Sequence, residues 1–168
     1  MKKLESKVII ISGPCGAGKT TISKLIYKKY HFILISGDEI KNELFPDIKD
    51  IEKHPQKLKK VKHEIFVRAK ENFDQDKNVV IDYVVLGKDY IQKHKKAFAD
   101  NLQIKVLFPN IKVILNRDKS RKCWTAGKKC VDELYKKFMD LESLIGSENY
   151  IDNSNETPRQ TLEKYFDL

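Results

Sequence analysis

Gly13-Pro14-Cys15-Gly16-Ala17-Gly18-Lys19-Thr20 follows the apolar run Val8-Ile9-Ile10-Ile11 and opens a helical pattern from Thr21 to Tyr30. The octet fits G-x-x-x-x-G-K-[S/T] at each fixed position, and strand, loop and helix stand in the order that motif requires. Glycine at 13, 16 and 18 lets the backbone curl and turn its N–H groups inward, where they cradle phosphate oxygens. The helix that follows adds the positive end of its dipole. Lys19 offers a point charge to β- and γ-phosphates, and the Thr20 hydroxyl is placed for Mg²⁺. A plain glycine turn would leave the Lys19-Thr20 pair without a purpose. The whole stretch, Pro14, Cys15, Ala17 and Thr21 included, is the expected ATP-binding segment.

Working outward, four further apolar runs alternate with helical patterns: Phe32-Ile33-Leu34-Ile35, Val79-Val80-Ile81, Ile104 to Phe108, and the weaker Tyr150-Ile151. The first of these and Val79-Val80-Ile81 are continuous like Val8 to Ile11, as strands buried on both faces are. Pro55 to Phe73 places Leu58, Val61, Ile65, Ala69 and Phe73 on one helical stripe; Val131, Leu134, Phe138, Leu141 and Ile145 form another. Both stripes read as core contacts. Thr157, Pro158 and Gln160 spell a capping box at the start of a closing helix. The alternation predicts an α/β fold, a parallel sheet with helices on both faces. No linker or repeat divides the 168 residues, so one domain spanning 1–168 is expected.

Composition narrows the class further. The chain holds 33 basic and 24 acidic residues, a formal charge of +9, and 40% hydrophobic residues. The charge suits a phosphorylated or nucleic-acid partner and equally a phosphate-handling enzyme. No apolar run is long enough to span a membrane, and Met1 to Lys7 lacks a secretory pattern, so a cytosolic location is expected. Cys15, Cys123 and Cys130 are too few and too scattered for a disulfide framework or a four-ligand zinc site.

Ligands of parallel sheets sit beyond the carboxyl ends of the strands. There the second run ends in Ser36-Gly37-Asp38-Glu39-Ile40-Lys41 and the third in Asp82. Asp38 is placed to take a proton from an acceptor hydroxyl, with Lys41 one turn on to face an anionic group. Ser36 and Glu39 also have capping-box spacing, so the same residues open a helix. Asp82 stands where a carboxylate holds Mg²⁺ directly or through water, or else orients the acceptor. Arg117 and Arg121 sit four apart on one helix face, followed by the polar, basic stretch Cys123 to Lys129. This reads as a lid, at about 117–130, that closes on ATP, excludes water and brings cations over the transferring group. Trp124, the sole tryptophan, would report that closure.

Taken together, Gly13 to Thr20, Ser36 to Lys41, Val79 to Asp82, Asn116 to Arg121 and Val131 to Phe138 resemble the small P-loop kinases related to adenylate, shikimate and gluconate kinases. The resemblance is strongest to the branch of polynucleotide kinases, chloramphenicol phosphotransferases and zeta toxins. It implies a five-stranded parallel sheet of order 2-3-1-4-5 with a basic lid. It makes Asp38 the general base, Lys41 a contact to an acceptor phosphate, Arg121 the lid arginine on the transferring group and Asp82 a neighbour of the acceptor. Asn153 to Asn155 would pack near adenine, which makes Asn153 a cofactor contact. Lys41 stands where that family usually carries arginine, and a lysine lacks the bidentate fork. The expected activity is transfer of the γ-phosphate of ATP, with Mg²⁺, to a hydroxyl or phosphate of a small molecule or of a nucleoside or nucleic-acid 5′ end. Two alternatives stay open: an ATPase or switch without an acceptor, and a basic nucleic-acid-binding protein that retains the loop.

Overall fold

The computed structural model describes residues 6–120 and 126–168. Five strands form one sheet in the order β2-β3-β1-β4-β5: β1 Val8–Ser12, β2 Ile33–Ser36, β3 Val79–Asp82, β4 Leu102–Leu107 and β5 Tyr150–Ile151. Every neighbouring pair runs parallel, so each return of the chain needs a crossover. The helices are α1 Lys19–Tyr30, α2 Gly37–Leu44, α3 Pro55–Asp74, α4 Lys88–Phe98, α5 Ile111–Lys119, α6 Lys128–Asp140, α7 Glu142–Ile145 and α8 Pro158–Tyr165.

Burial follows strand position. All of β1 and β3 is buried, which is why they read as unbroken apolar runs. β2 lies at the sheet edge, and only Ile35 of its residues is fully buried. The continuous reading of Phe32 to Ile35 therefore overstated its burial, and Phe32 itself belongs to the core just ahead of the strand. One core layer joins the sheet to α2, α3, α4 and α6 through residues such as Ile40, Val61, Ile65, Ile91 and Phe138. The other joins it to α1 and α8 through Ile22, Ile26 and Leu162.

The capping box closes as its residues predict: the Gln160 N–H donates to Thr157 Oγ1, and Gln160 Oε1 accepts from the Thr157 N–H at 2.9 Å. The stripe from Val131 to Ile145 is divided between two helices. Leu141 closes α6 with a short i→i−3 bond to Phe138, and Gly146 ends the single turn of α7. The periodicity survives because the break keeps Leu141 and Ile145 in the core.

His94 is fully buried in α4 among Tyr90, Phe66 and Phe98. Its Nδ1 lies 2.8 Å from the Tyr90 carbonyl, which can only accept, so Nδ1 carries a proton. Burial pushes the imidazole down to about 4 from an ordinary 6.5. Below pH 6.5 the unfolded chain binds a proton that the folded chain refuses. Stability is therefore full above that pH and falls between 6.5 and 4, by about 3 kcal/mol in total. Urea unfolding of wild type and His94→Leu at pH 7.5 and pH 4.5 checks this; the variant should lose most of the pH difference.

Candidate active site

The phosphate loop connects β1 to α1 along the carboxyl edge of the sheet. Gly13 has φ +137, and a Cβ there would lie 2.3 Å from the Leu107 carbonyl oxygen, so only glycine lets the loop pass the end of β4. Lys19 is the first residue of α1, and its ammonium donates to the Gly13 and Pro14 carbonyls at 2.9 and 3.0 Å. The lysine thus lies along the inside of the loop that it closes.

Thr20 Oγ1 donates to Asp82 Oδ2 at 2.7 Å across 62 residues of sequence. The two candidate Mg²⁺ contacts are therefore in direct contact, one at the start of α1 and one at the tip of β3. Only 8% of Asp82 is exposed. Burial pushes its carboxyl above the usual range, the Thr20 hydroxyl and the Lys19 charge pull it back, and the charge of Asp38 adds to the rise. A hydroxyl and a carboxylate are hard oxygen donors, and Mg²⁺ is commonly held by one or two such groups plus nucleotide phosphates. The pair fits that ion. No cluster of three or more His, Cys, Asp or Glu exists among the described residues, so the composition is not that of a closed, all-protein metal cage.

Ser36 aligns with Asp82 in the pairing of β2 with β3. Two residues later Asp38 opens onto solvent in the first turn of α2. Ser36 Oγ accepts from the Glu39 N–H at 3.3 Å, so the helix-start reading of this segment holds alongside any chemistry of Asp38. The Lys41 ammonium is bonded to Asn42 Oδ1 at 3.1 Å.

Gly37 deserves its identity for a packing reason: a Cβ there would lie 2.0 Å from Cδ2 of Tyr83. The first turn of α2 rests on that ring, which fixes where Asp38 stands. Gly37→Ala must displace one or the other, at a cost of about 1–3 kcal/mol. The loss should shrink in a Tyr83→Leu background. A double-mutant cycle by urea unfolding measures the coupling.

On the far side of the loop, Asn153 is buried and its Nδ2 donates to the Ala17 carbonyl at 3.3 Å. Its Oδ1 is buried and has no hydrogen-bond partner among the described residues. Arg117 Nη2 donates to the Asn153 carbonyl at 3.2 Å. The structure therefore turns Arg117 toward the segment after β5. Arg121, its expected companion, lies outside the described residues with Cys123 and Trp124. Asp118, nearly fully buried, accepts from the Ala126 and Gly127 N–H groups at 2.9 and 3.0 Å. It anchors the chain's return into α6.

Sequence reasoning passed over Ser12, Tyr83 and Asp118. The Val85 N–H donates to the buried Ser12 Oγ at 2.8 Å, which ties the segment after β3 to the end of β1. A serine ending an apolar run carries no signal of a partner 73 residues away.

The sequence matches the AAA domain family over residues 8–136, a span that holds the phosphate loop, Asp38, Asp82 and Arg117. The chain belongs to this family of P-loop kinases. A probable adenylyl-sulfate kinase of Archaeoglobus fulgidus is 44% identical over 48 residues, 26% of this chain; the match spans only 31% of that relative. Among solved structures, shikimate kinase from Bacteroides thetaiotaomicron superposes with a TM-score of 0.68 at 17% identity, covering 94% of this chain and 95% of that one. A gluconokinase from Sinorhizobium meliloti gives 0.64 at 17% identity, covering 96% and 90%. Those identities speak for the fold, and the expected sheet order 2-3-1-4-5 is the one found. No helix among the described residues is long and apolar enough to cross a membrane.

Proposed function

We propose that this P-loop kinase transfers the γ-phosphate of ATP to a hydroxyl of a small, anion-bearing acceptor, with Asp38 as general base. The observation that carries the reading is the 2.7 Å bond from Thr20 to Asp82. It joins the phosphate loop to the strand beside the one that leads into Asp38, which supports a reading with phosphate, metal and acceptor functions on adjacent strand tips. Thr20 and Asp82 would hold Mg²⁺ there, and the ion would supply positive charge against the charge that develops on the phosphates.

The chain's own residues supply the rest. Backbone N–H groups of the loop from Cys15 onward and the α1 N-terminus hold the phosphates, and the Lys19 ammonium follows the γ-phosphoryl group. The acceptor oxygen attacks the γ-phosphorus, the bond from phosphorus to the β,γ-bridging oxygen breaks, and ADP leaves. The hydroxyl proton passes to the Asp38 carboxylate. Lys41 contacts an anionic group of the acceptor. Arg121 from the lid, with Arg117 at its root, adds positive charge over the transferring group, and Asn153 borders the nucleotide base.

The name of the Archaeoglobus relative is that of a kinase acting on adenylyl sulfate, an anionic nucleotide. This supports placing anionic acceptors first. The net charge of +9 supports a nucleic-acid 5′ end as a second form of the same reaction. The test is incubation with γ-labelled ATP and Mg²⁺ against nucleoside monophosphates, nucleosides, 5′-hydroxyl oligonucleotides, sugar acids and antibiotic hydroxyls. Label on one class identifies the acceptor. Label on none of them, with ATP still consumed, favours an ATPase.

A further inference from the structure

Cys15 lies in the phosphate loop and Cys130 in the first turn of α6. Both are thiols, and both are partly exposed. The fold brings their two segments together through α5. At Gly16, next to Cys15, an added Cβ would lie 3.0 Å from the Ile114 carbonyl oxygen and 3.5 Å from the Asp118 nitrogen, so the loop rests on α5 there. The Asp118 carboxylate, from the same part of α5, accepts from the Ala126 and Gly127 N–H groups at 2.9 and 3.0 Å. The Gly127 carbonyl in turn accepts from the Val131 N–H at 3.1 Å in the first turn of α6. The start of α6 and the phosphate loop are therefore fixed against one short stretch of α5.

The Cys130 thiol is turned into this junction. Burial raises its pKa, and the charges of Cys15, Glu133, Glu52 and Asp118 add to the rise. Of these groups only Glu133 shares its helix. The others come from the phosphate loop, the turn at Ile51–Lys53 and α5, so the thiol stands among four segments rather than on the outer face of α6. Phosphate binding does not call for sulfur at position 15, which is a variable place in the loop pattern. Cys130 belongs to neither core layer. A disulfide needs α-carbons within about 7 Å of each other, an approach that the shared anchor on α5 favours.

We propose that Cys15 and Cys130 form a reversible disulfide, driven by peroxide, that shuts the phosphate loop to nucleotide. One thiol attacks the peroxide: a sulfur–oxygen bond forms, the oxygen–oxygen bond breaks, and one water leaves. The other thiol then attacks that sulfenic sulfur. The sulfur–sulfur bond forms, the sulfur–oxygen bond breaks, and hydroxide departs as a second water with the attacking thiol's proton. Two thiols are oxidised and one peroxide is reduced to two waters. The backbone that carries Cys15 is the backbone that cradles phosphate oxygens, so drawing its sulfur to α6 pulls the loop out of the shape that binding needs. Loss of phosphoryl transfer on oxidation rests on the kinase reading above; formation of the bond does not.

The test treats the whole reduced chain with hydrogen peroxide, blocks the remaining thiols and maps bonds by non-reducing digestion and mass spectrometry. A Cys15–Cys130 peptide pair is expected, and dithiothreitol should separate it. Calorimetric affinity for a nonhydrolysable ATP analogue with Mg²⁺ should fall about tenfold or more on oxidation and return on reduction. Linkage is reciprocal, so a saturating amount of the analogue added before peroxide should suppress the bond. Cys130→Ser should bind the analogue like the reduced wild type and keep that affinity through peroxide treatment; Cys130→Ala should do the same and guards against an effect of the serine hydroxyl. A bond from Cys15 to Cys123 instead, sulfinic acids without a bond, or a Cys15–Cys130 bond that leaves the affinity unchanged would each overturn the proposal. So would an equal loss of affinity in peroxide-treated Cys130→Ser. Failure of the analogue to bind the reduced chain would sink the kinase reading, and the bond map would still decide whether the two thiols pair.

Discussion

Lys19→Ala is expected to lower phosphoryl transfer by about 10³-fold or more, since a cation fixed on the transferring group acts where charge develops. The fold should survive. The lysine spans part of the loop's inner face through two hydrogen bonds to backbone carbonyls, and both carbonyls can turn to water when it is gone. Neither core layer contains it. A circular dichroism spectrum and melting temperature close to wild type, together with lost transfer, would place the effect in the chemistry. Normal transfer by a well-folded Lys19→Ala protein would refute the assignment of the loop.

The second large effect is expected at Asp38. Asp38→Asn keeps the size of the side chain and its place in the first turn of α2, where the Ser36 cap remains. It removes the ability to accept a proton, and kcat should fall by about 10²-fold or more. Some stability is lost as well, because a carboxylate near a helix N-terminus contributes about 0.3–1 kcal/mol. The two effects separate in kinetics: a pure helix-start residue would lower stability and leave kcat intact. A kcat within a few-fold of wild type would reduce Asp38 to that structural role.

The residues that sequence alone could interpret are those whose chemistry is local. The phosphate loop is legible because each position answers to a phosphate oxygen within a few residues. β1 and β3 are legible because they are buried on both faces. The proximity of Thr20 and Asp82 was implied by their common Mg²⁺ expectation, and the structure puts them in direct contact. What escaped is non-local. Gly37 against Tyr83, Ser12 beneath Val85 and Lys62 on Leu86 each join segments that only the sheet order brings together. α4 went unread because His94 and Tyr90 sit on its buried face, where residue type suggests a polar surface. Arg117 lies on α5, but that helix ends at Lys119, before Arg121, so the four-residue spacing does not put the two on one face of it; nor does spacing say which neighbour a long side chain will choose, and the structure gives Arg117 the Asn153 carbonyl.

The central claim is that phosphate leaves ATP for an acceptor rather than for water, and the partition of label tests it most directly. Purified protein, γ-labelled ATP and Mg²⁺ are followed with and without the acceptor identified from the panel, and label is counted as acceptor ester and as free phosphate. The account predicts that label accumulates on the acceptor in step with ADP, that free phosphate stays minor, and that Lys19→Ala and Asp38→Asn both suppress the ester. Label released wholly as free phosphate, at one rate whether or not an acceptor is present, would contradict it.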